Sequence, residues 1–515
     1  MKSSKPIEKS KPCFHRFLST SDDEAVTVVL KYRLPKESRL SEAKQMQGTF
    51  VFSEKKDVLK FVLDHNIKVL NLCHVPEDGR LRTLSFSTTN KDRTAEVLDF
   101  GERVDGSSLF SSIEPGKSDI YVMPKIRRTY VNPFSTLPTI NMMCDYVDED
   151  GRAFEMAPQN ALEKAQKNLR SRGIMLKALA ELEFYVIAQL ETKNSFQAEP
   201  ERNYHESTPF TKFEDIRNEA LTTLEVMGIP TKYGHCEVGL ILGQNNMLME
   251  QHEIELIPQE LSVTAETIAI VKWTIRNICA RHGVTVSFIP KINLAHAGTG
   301  MHIHICAIKE GQNIIADADK SLSKEALAMI GGILKLAPSL SAFGNPTPIS
   351  YLRFFACKES PMHICWSSRN RLALIRIPLW WNFTKRIWNM DKCQETFEYR
   401  APDAFANAHL LLAGLAVAAG HGLENSQEAI KTAEDLHVES PSNKPLQALP
   451  RSCSETAENL QKQRSFYEAN AVFPKKLIDN ILQKLEAYGD RNLRRELSTN
   501  PERFESLVTQ YMHYG

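Results

Sequence analysis

The stretch from Ala180 to Val186 limits the possible folds of this chain more than any other segment. Ala180, Leu182, Phe184 and Val186 alternate with Glu181, Glu183 and Tyr185. In a β-strand, residues i and i+2 share a face. One face is therefore apolar, and the other sets two carboxylates side by side. Like charges this close need a cation or a proton between them. Far downstream, Gly300-Met301-His302-Ile303-His304 gives a same-face pair of histidines, and Glu398-Tyr399-Arg400 pairs a carboxylate with a guanidinium. Carboxylates, an imidazole and several arginines suit divalent metals and phosphates. Each element alone is common on the solvated face of a half-buried strand. Their joint occurrence carries the argument.

The 515 residues allow two or three domains and a large core. Basic and acidic residues balance at 63 each, so charge gives no case for nucleic acid or an anionic membrane as partner. Met1 to Ser19 is lysine-rich and polar, without the apolar stretch of a signal peptide. The longest apolar run, Leu410 to Ala419, is too short to span a bilayer. Ten cysteines are scattered from Cys13 to Cys453 with no C-x-x-C pair, the pattern of reduced, buried thiols. A cytoplasmic globular protein is expected.

Residues 1–53 read as a solvated, disordered extension, with Thr27 to Tyr32 as a short strand. Residues 54–146 form a compact segment. In it Lys56 to His65 is a helix, and Val69 to Cys73 and Leu81 to Phe86 are strands around the turn Glu77-Asp78-Gly79. Asp105-Gly106-Ser107-Ser108 is a polar turn, and Asp119 to Met123 another strand. Residues 147–515 follow a different pattern. A helix enters near Pro158 and stops at Gly173, residues 214 to 227 are helical, and a longer helix ends at Arg281-His282-Gly283. Val284 to Ile289, Met301 to Ile308, Leu372 to Pro378 and Thr396 to Arg400 read as strands. From about Ala404 the chain is mainly helical. Strands occur in groups rather than in βαβ alternation, which predicts an α+β fold with an antiparallel or mixed sheet.

Eight stretches now stand in order: Val104-Asp105-Gly106-Ser107-Ser108, Glu181-Leu182-Glu183-Phe184, His235-Cys236-Glu237-Val238, Gly298-Thr299-Gly300-Met301-His302-Ile303-His304, Asn345-Pro346-Thr347, Ser368-Arg369-Asn370-Arg371, Ile375-Arg376-Ile377-Pro378 and Glu398-Tyr399-Arg400. Together they resemble the glutamine synthetases, most closely the bacterial type I form, from roughly Glu54 to the C-terminus. The resemblance implies an N-terminal β-grasp domain and a catalytic domain with a curved antiparallel sheet and helices. It also implies homo-oligomeric stacked rings, a dodecamer, with active sites shared between neighbouring subunits. The implied substrates are ATP, glutamate and ammonium, and the implied reaction proceeds through a γ-glutamyl phosphate.

The same resemblance assigns roles residue by residue. Glu183, Glu237 and Glu253 would hold one divalent ion, and Glu181, His302 and Glu398 the second, with Mg2+ or Mn2+ suited to these donors. Arg371 and Arg376 would contact phosphate, with His304 and Arg376 against the nucleotide. Arg353 and Arg400 would grip the glutamate carboxylate, with Gly298 allowing close approach of the backbone. Glu359 would be a flap carboxylate that excludes water and takes a proton. Asp105 and Ser108 of a neighbouring subunit, with Tyr204 and Glu237, would form the ammonium pocket.

The chain departs from that pattern at several points. Glu237 and Glu253 are 16 residues apart, eight more than in the family, and Gly239 to Gln251 is an apparent insertion. A rival register would put Gly243-Gln244-Asn245 at the metal instead of Glu253. Ala297 stands where asparagine is usual. Cys306, Thr396 and Pro258 replace a serine, an arginine and an aromatic expected near the nucleotide. Residues 379 to 395, with Trp380, Trp381 and Trp388, form a longer loop, in which Lys385 or Arg386 could supply the missing charge. A ligase joining glutamate to a larger amine, and a catalytically dead ring-forming homologue, are the alternatives to ammonia-dependent glutamine formation.

Overall fold

Two hydrophobic cores organise the chain, one for each sheet. The computed structural model describes residues 52–190, 196, 198–319, 321–355, 360–379, 395–439, 445–500 and 502–515. The strand expected at Thr27 to Tyr32, the flap residue Glu359 and residues 380–394, including Lys385 and Arg386, lie outside them.

The first sheet contains β1 (Val69–His74), β2 (Arg82–Ser87), β3 (Glu102–Asp105), β4 (Asp119–Val131) and β5 (Thr139–Val147), in the order β2-β1-β5-β4-β3. The central pair β1 and β5 is parallel, and the other pairs are antiparallel. Val58 and Phe61 of the helix Lys55–Asp64, and Val97 of the helix Lys91–Phe100, pack with Leu70, Leu72, Val122 and Ile140 in one core. This is the β-grasp arrangement. Sequence patterning does not show β5, because nearly all its residues are buried on both faces and no alternation survives.

The second sheet contains β6 (Ile174–Gln189), β7 (Thr231–Leu242), β8 (Met247–Leu256), β11 (Met301–Lys309), β13 (Trp366–Ser368), β14 (Ile375–Ile377) and β15 (Phe397–Tyr399). Short strands β9 (Gln259–Glu260), β10 (Thr285–Ser287) and β12 (Gln312–Asn313) pair at its margins. The order is β13-β14-β15-β11-β6-β8-β7, antiparallel except between β13 and β14. Its apolar face carries Ala180, Leu182, Phe184 and Val186, with Ile254, Leu256, Ile303 and Ile305, in the larger core beneath the helix Leu261–Arg281.

Behind that layer the helix Lys324–Gly344 packs against the helix Ala408–Glu424. A Cβ on Gly332 would come within 2.2 Å of the Ala418 carbonyl oxygen, so glycine sets the helix separation here. Lys324–Gly344 is long and apolar enough to cross a membrane by composition alone, but 89% of its most apolar window is buried within the fold. The seven described cysteines are free and buried.

The two domains are tied by a buried ionic contact. Glu266, on the helix Leu261–Arg281, accepts from Lys125 Nζ at 2.7 Å and from Arg128 Nε at 2.6 Å, both on β4. Burial pushes the Glu266 carboxyl up, but Lys125 and Arg128 outweigh it and hold the group below its ordinary value. Removing one partner of a buried pair leaves uncompensated charge. Glu266→Ala is therefore expected to cost about 3–5 kcal/mol, read as a lower urea midpoint. An unchanged midpoint would show that the seam does not depend on this contact.

Candidate active site

The polar face of the second sheet is laid out by strand register. β6 and β8 run antiparallel with Glu181 opposite Glu255 and Glu183 opposite Glu253. On the other side of β6, His302 of β11 lies opposite Glu181. On the other side of β8, His235 of β7 lies opposite Glu253 and Tyr233 opposite Glu255. At the far edge His304 faces Glu398, which faces Arg376. Directly paired residues share a face, so these groups form one continuous patch.

Within it the ligand-type atoms cluster. Glu181, His302 and Glu398 bring one donor atom each within 4.8 Å of one another, and so do His235, Glu237 and Glu253. In the first group His302 Nδ1 lies 2.9 Å from Glu181 Oε2 and 3.5 Å from Glu398 Oε1. In the second, His235 Nε2 lies 3.2 Å from Glu253 Oε1, and its Nδ1 lies 3.8 Å from Glu237 Oε1. Glu183 sits between the groups. Its Oε2 accepts from Gln251 Nε2 at 2.9 Å and from the Gly300 amide at 2.8 Å, and its Oε1 lies 3.8 Å from His302 Nε2.

Glu237 reaches Glu253 because β7 bulges. Pairing passes from Cys236 opposite His252 to Leu240 opposite Glu250, so the segment containing Glu237 leaves the ladder. The inserted residues prolong the β7–β8 hairpin. Gln244 and Asn245 lie in its terminal turn, away from the clusters, and Asn245 has φ +54°.

The electrostatics differ across the patch. Burial disfavours the Glu181 carboxylate, but His304 and His302 hold it well below the ordinary range. Burial likewise disfavours the Glu398 anion, and Arg400 outweighs it. Glu253 has no such relief. Burial pushes its carboxyl well up, and Glu181, Glu237, Glu183 and Glu255 reinforce the effect. Oxygen donors with one imidazole per group, around a buried carboxylate lacking countercharge, fit hard divalent cations such as Mg2+ or Mn2+.

The arginines hold the rim. Arg376 Nη1 donates to Glu398 Oε2 at 2.8 Å, Arg400 Nη1 to Glu398 Oε1, and Arg400 Nε to the Arg371 carbonyl at 3.1 Å. Arg353 is buried. It donates to the Ala401 carbonyl at 2.7 Å and the Arg400 carbonyl at 3.0 Å, so it braces the turn after β15. A Cβ on Gly298 would come within 2.8 Å of the Pro290 carbonyl oxygen and 2.9 Å of Arg353 Cγ, so the close approach there is to the protein's own backbone and side chain. His304, like Arg376, joins the carboxylates directly: its Nε2 lies 2.9 Å from Glu181 Oε1, and its Nδ1 lies 3.0 Å from Thr396 Oγ1.

Tyr204 is 45% exposed, and its ring lies 4.1 Å from that of His205 and 5.3 Å from that of His235. Burial raises its hydroxyl pKa, Arg371 opposes the rise and Glu237 adds to it. Asp105 and Ser108 stand apart, in the β-grasp domain. Asp105 accepts from the Ser107 and Ser108 hydroxyls at 2.7 Å each, and hydroxyl hydrogen bonds lower its pKa to about 2. Among the described residues, none of the Asp105 hydrogen bonds or ion pairs reaches the second sheet.

His235, Gln251 and Glu255 of the patch, with Tyr233, have no role assigned from sequence. The buried Gln251 donates to Glu183 Oε2 and to the Gly298 carbonyl, each at 2.9 Å, and accepts from the Gly239 amide at 2.9 Å. It links the carboxylates to the bulge of β7 and to the loop before β11. The signal was the alternation Gln251, Glu253, Glu255, visible only once β8 is known to be a strand.

Comparison with known proteins follows the same division. The family model "Glutamine synthetase, beta-Grasp domain" matches residues 66–149, and "Glutamine synthetase, catalytic domain" matches residues 155–496. A glutamine synthetase of Rhizobium meliloti is 28% identical over 486 residues, covering 87% of this chain and 98% of that protein. A 3-hydroxylaminophenol mutase of Cupriavidus pinatubonensis is 29% identical over 485 residues, again covering 87% and 98%. Among solved structures, the Plasmodium falciparum glutamine synthetase superposes with a TM-score of 0.74 at 20% identity, covering 86% of this chain and 97% of that one. A structure titled "Apo GmaS without ligand" gives 0.68 at 22%, covering 84% and 95%. With both domains matched in order over most of its length, the chain belongs to the glutamine synthetase family.

Proposed function

We propose that this protein is an ATP-dependent ligase that forms glutamine from glutamate and ammonia through a γ-glutamyl phosphate. The observation that carries the reading is the pair of clusters on one sheet face, Glu181–His302–Glu398 and His235–Glu237–Glu253, with Arg376 and Arg400 at their edge.

Two divalent cations, Mg2+ or Mn2+, would be held there, one by Glu181, His302 and Glu398 and the other by Glu237 and Glu253 with Glu183 alongside. When bound, they would neutralise charge on the oxygens of a transferring phosphoryl group. Arg371 and Arg376 would contribute positive charge to the phosphates, with His304 beside the nucleotide. Arg400, and Arg353 through the turn it braces, would orient the glutamate carboxylate. Glu359 would cover the acyl phosphate and take up a proton. Tyr204 and Glu237, completed by Asp105 and Ser108 of a neighbouring subunit in a dodecameric ring, would bind ammonium. The placement of Asp105 away from the clusters of its own chain supports a site completed by a neighbour.

A second reading, ligation of glutamate to a larger amine, draws support from the ring wall. Tyr204, His205 and His235 present aromatic faces beside Glu237 and Glu253, a surface that suits organic ammonium groups. Ala297 in place of the usual asparagine leaves additional room. The similarity to proteins named 3-hydroxylaminophenol mutase and GmaS shows that relatives of this likeness carry other names.

Two outcomes are expected. Phosphate release from ATP, with Mn2+ and glutamate present, should be stimulated by ammonium with glutamine formed. Stimulation only by a larger amine would establish the second reading, and no release with any amine would contradict both. Separately, Mn2+ binding should release protons, because Glu253 must give up its proton to act as a ligand. Affinity should therefore rise with pH, and calorimetric heats should vary with the buffer's ionisation enthalpy. Buffer-independent heats would contradict the assignment of Glu253.

A further inference from the structure

We propose that Glu201 is a positioning residue for both substrates, locking the turn that faces the glutamate to the loop that borders the amine pocket. The proposal rests on the ligase reading above, in which Gly298 stands at the glutamate and Tyr204 at the amine.

The turn His296-Ala297-Gly298-Thr299-Gly300 is held peptide by peptide. Lys291 Nζ donates to the His296 carbonyl at 2.5 Å, Tyr185 Oη to the Ala297 carbonyl at 3.0 Å and Gln251 Nε2 to the Gly298 carbonyl at 2.9 Å. The Thr299 amide donates to the Pro290 carbonyl at 2.9 Å, and the Gly300 amide to Glu183 Oε2 at 2.8 Å. These partners stand on β6, on β8 or in the segment just before the turn. Glu201 approaches from a different part of the chain. Its Oε2 accepts from the Ala297 amide at 2.8 Å, and its Oε1 lies 2.9 Å from His296 Nδ1.

Glu201 and Tyr204 share one loop, and that loop docks on the bulge of β7. The Asn203 amide donates to the Val238 carbonyl at 3.4 Å and the His205 amide to the Cys236 carbonyl at 3.1 Å, on either side of Glu237. The loop therefore borders a proposed metal ligand at one point and the glutamate turn at another. The Glu201 backbone is left-handed, with φ +61°, as is that of His205 at +60°. Residues other than glycine adopt this conformation at a cost, which the two contacts to the turn offset at Glu201.

A carboxylate accepting from a backbone amide is among the stronger hydrogen bonds. The Glu201 side chain is 18% exposed, so water screens this one only in part. Ala297 stands where asparagine is usual and has no polar side chain with which to fasten the turn. Glu201 supplies the fastening from the amine side, so the walls of the two substrate pockets are held in one position together.

Two measurements on the full-length protein test the clamp. Glutamate is titrated calorimetrically with Mn2+ and a non-hydrolysable ATP analogue present, and the KM of the stimulating amine is read from phosphate release. Glu201→Ala should weaken glutamate binding about tenfold and raise the amine KM by a similar factor. Its affinity for Mn2+ alone should match that of wild type, which reports that the variant is folded. Glu201→Gln keeps an oxygen for the Ala297 amide and a polar partner for His296, and should return both values to within about twofold of wild type. Unaltered glutamate affinity in Glu201→Ala, a shift for only one of the two substrates, or Glu201→Gln as impaired as Glu201→Ala would overturn the clamp and leave the ligase reading standing. An equal loss of Mn2+ affinity would overturn it too, because the site would then have loosened as a whole. Wild type that binds no glutamate, or whose phosphate release no amine stimulates, would overturn both.

Discussion

Four carboxylates facing each other across one pair of strands set the terms for everything else on the catalytic sheet. The β6–β8 register opposes Glu181 to Glu255 and Glu183 to Glu253, and a one-residue slip of either strand would turn its two carboxylates into the apolar core. The register is held from the other side of the sheet. Leu182, Phe184 and Ile254 are fully buried there, so burial of apolar surface fixes where the charges fall. Hydrophobic packing thus imposes an electrostatic arrangement that water alone cannot relieve.

The surrounding structure relieves it unevenly. Glu398 is matched by Arg376 and Arg400, Glu181 by His302 and His304, and Glu266 in the domain seam by Lys125 and Arg128. Glu253 is matched least, which is why the centre of the patch is where cations are expected. The hydrogen-bonded frame around it is stiff: Gln251 ties Glu183 to the Gly298 and Gly239 backbones, and Arg353 ties His302 to the turn after β15. Ligands held this way need little reorganisation to receive a metal ion.

Much of this was legible in the sequence. The alternation around Glu181 showed which face would be polar, and the histidine and arginine motifs marked its borders, because strand periodicity is a local property. The resemblance to glutamine synthetases supplied both domains. What stayed hidden is non-local. Residues of β5 and of the helix Lys324–Gly344 are buried on all sides, so neither shows an amphipathic pattern. Glu255 read as an unremarkable glutamate until pairing set it across from Glu181. The bulge that turns Glu237 toward Glu253, and the consumption of Arg353 by backbone carbonyls, depend on contacts between segments far apart in the chain.

The claim on which all of this turns is that the patch is built to be completed by cations. The most direct measurement is the thermal midpoint of metal-free wild type and Glu253→Gln, each with and without saturating Mn2+ at neutral pH. If the carboxylates lack countercharge, Mn2+ at about 100 times its Kd should stabilise the wild type by about 2.7 kcal/mol per site. Glu253→Gln should melt higher than wild type when metal-free and gain less from Mn2+. A wild type indifferent to Mn2+, with a Glu253→Gln variant that melts lower, would mean that the carboxylates are satisfied within the protein and that the patch is not a metal centre.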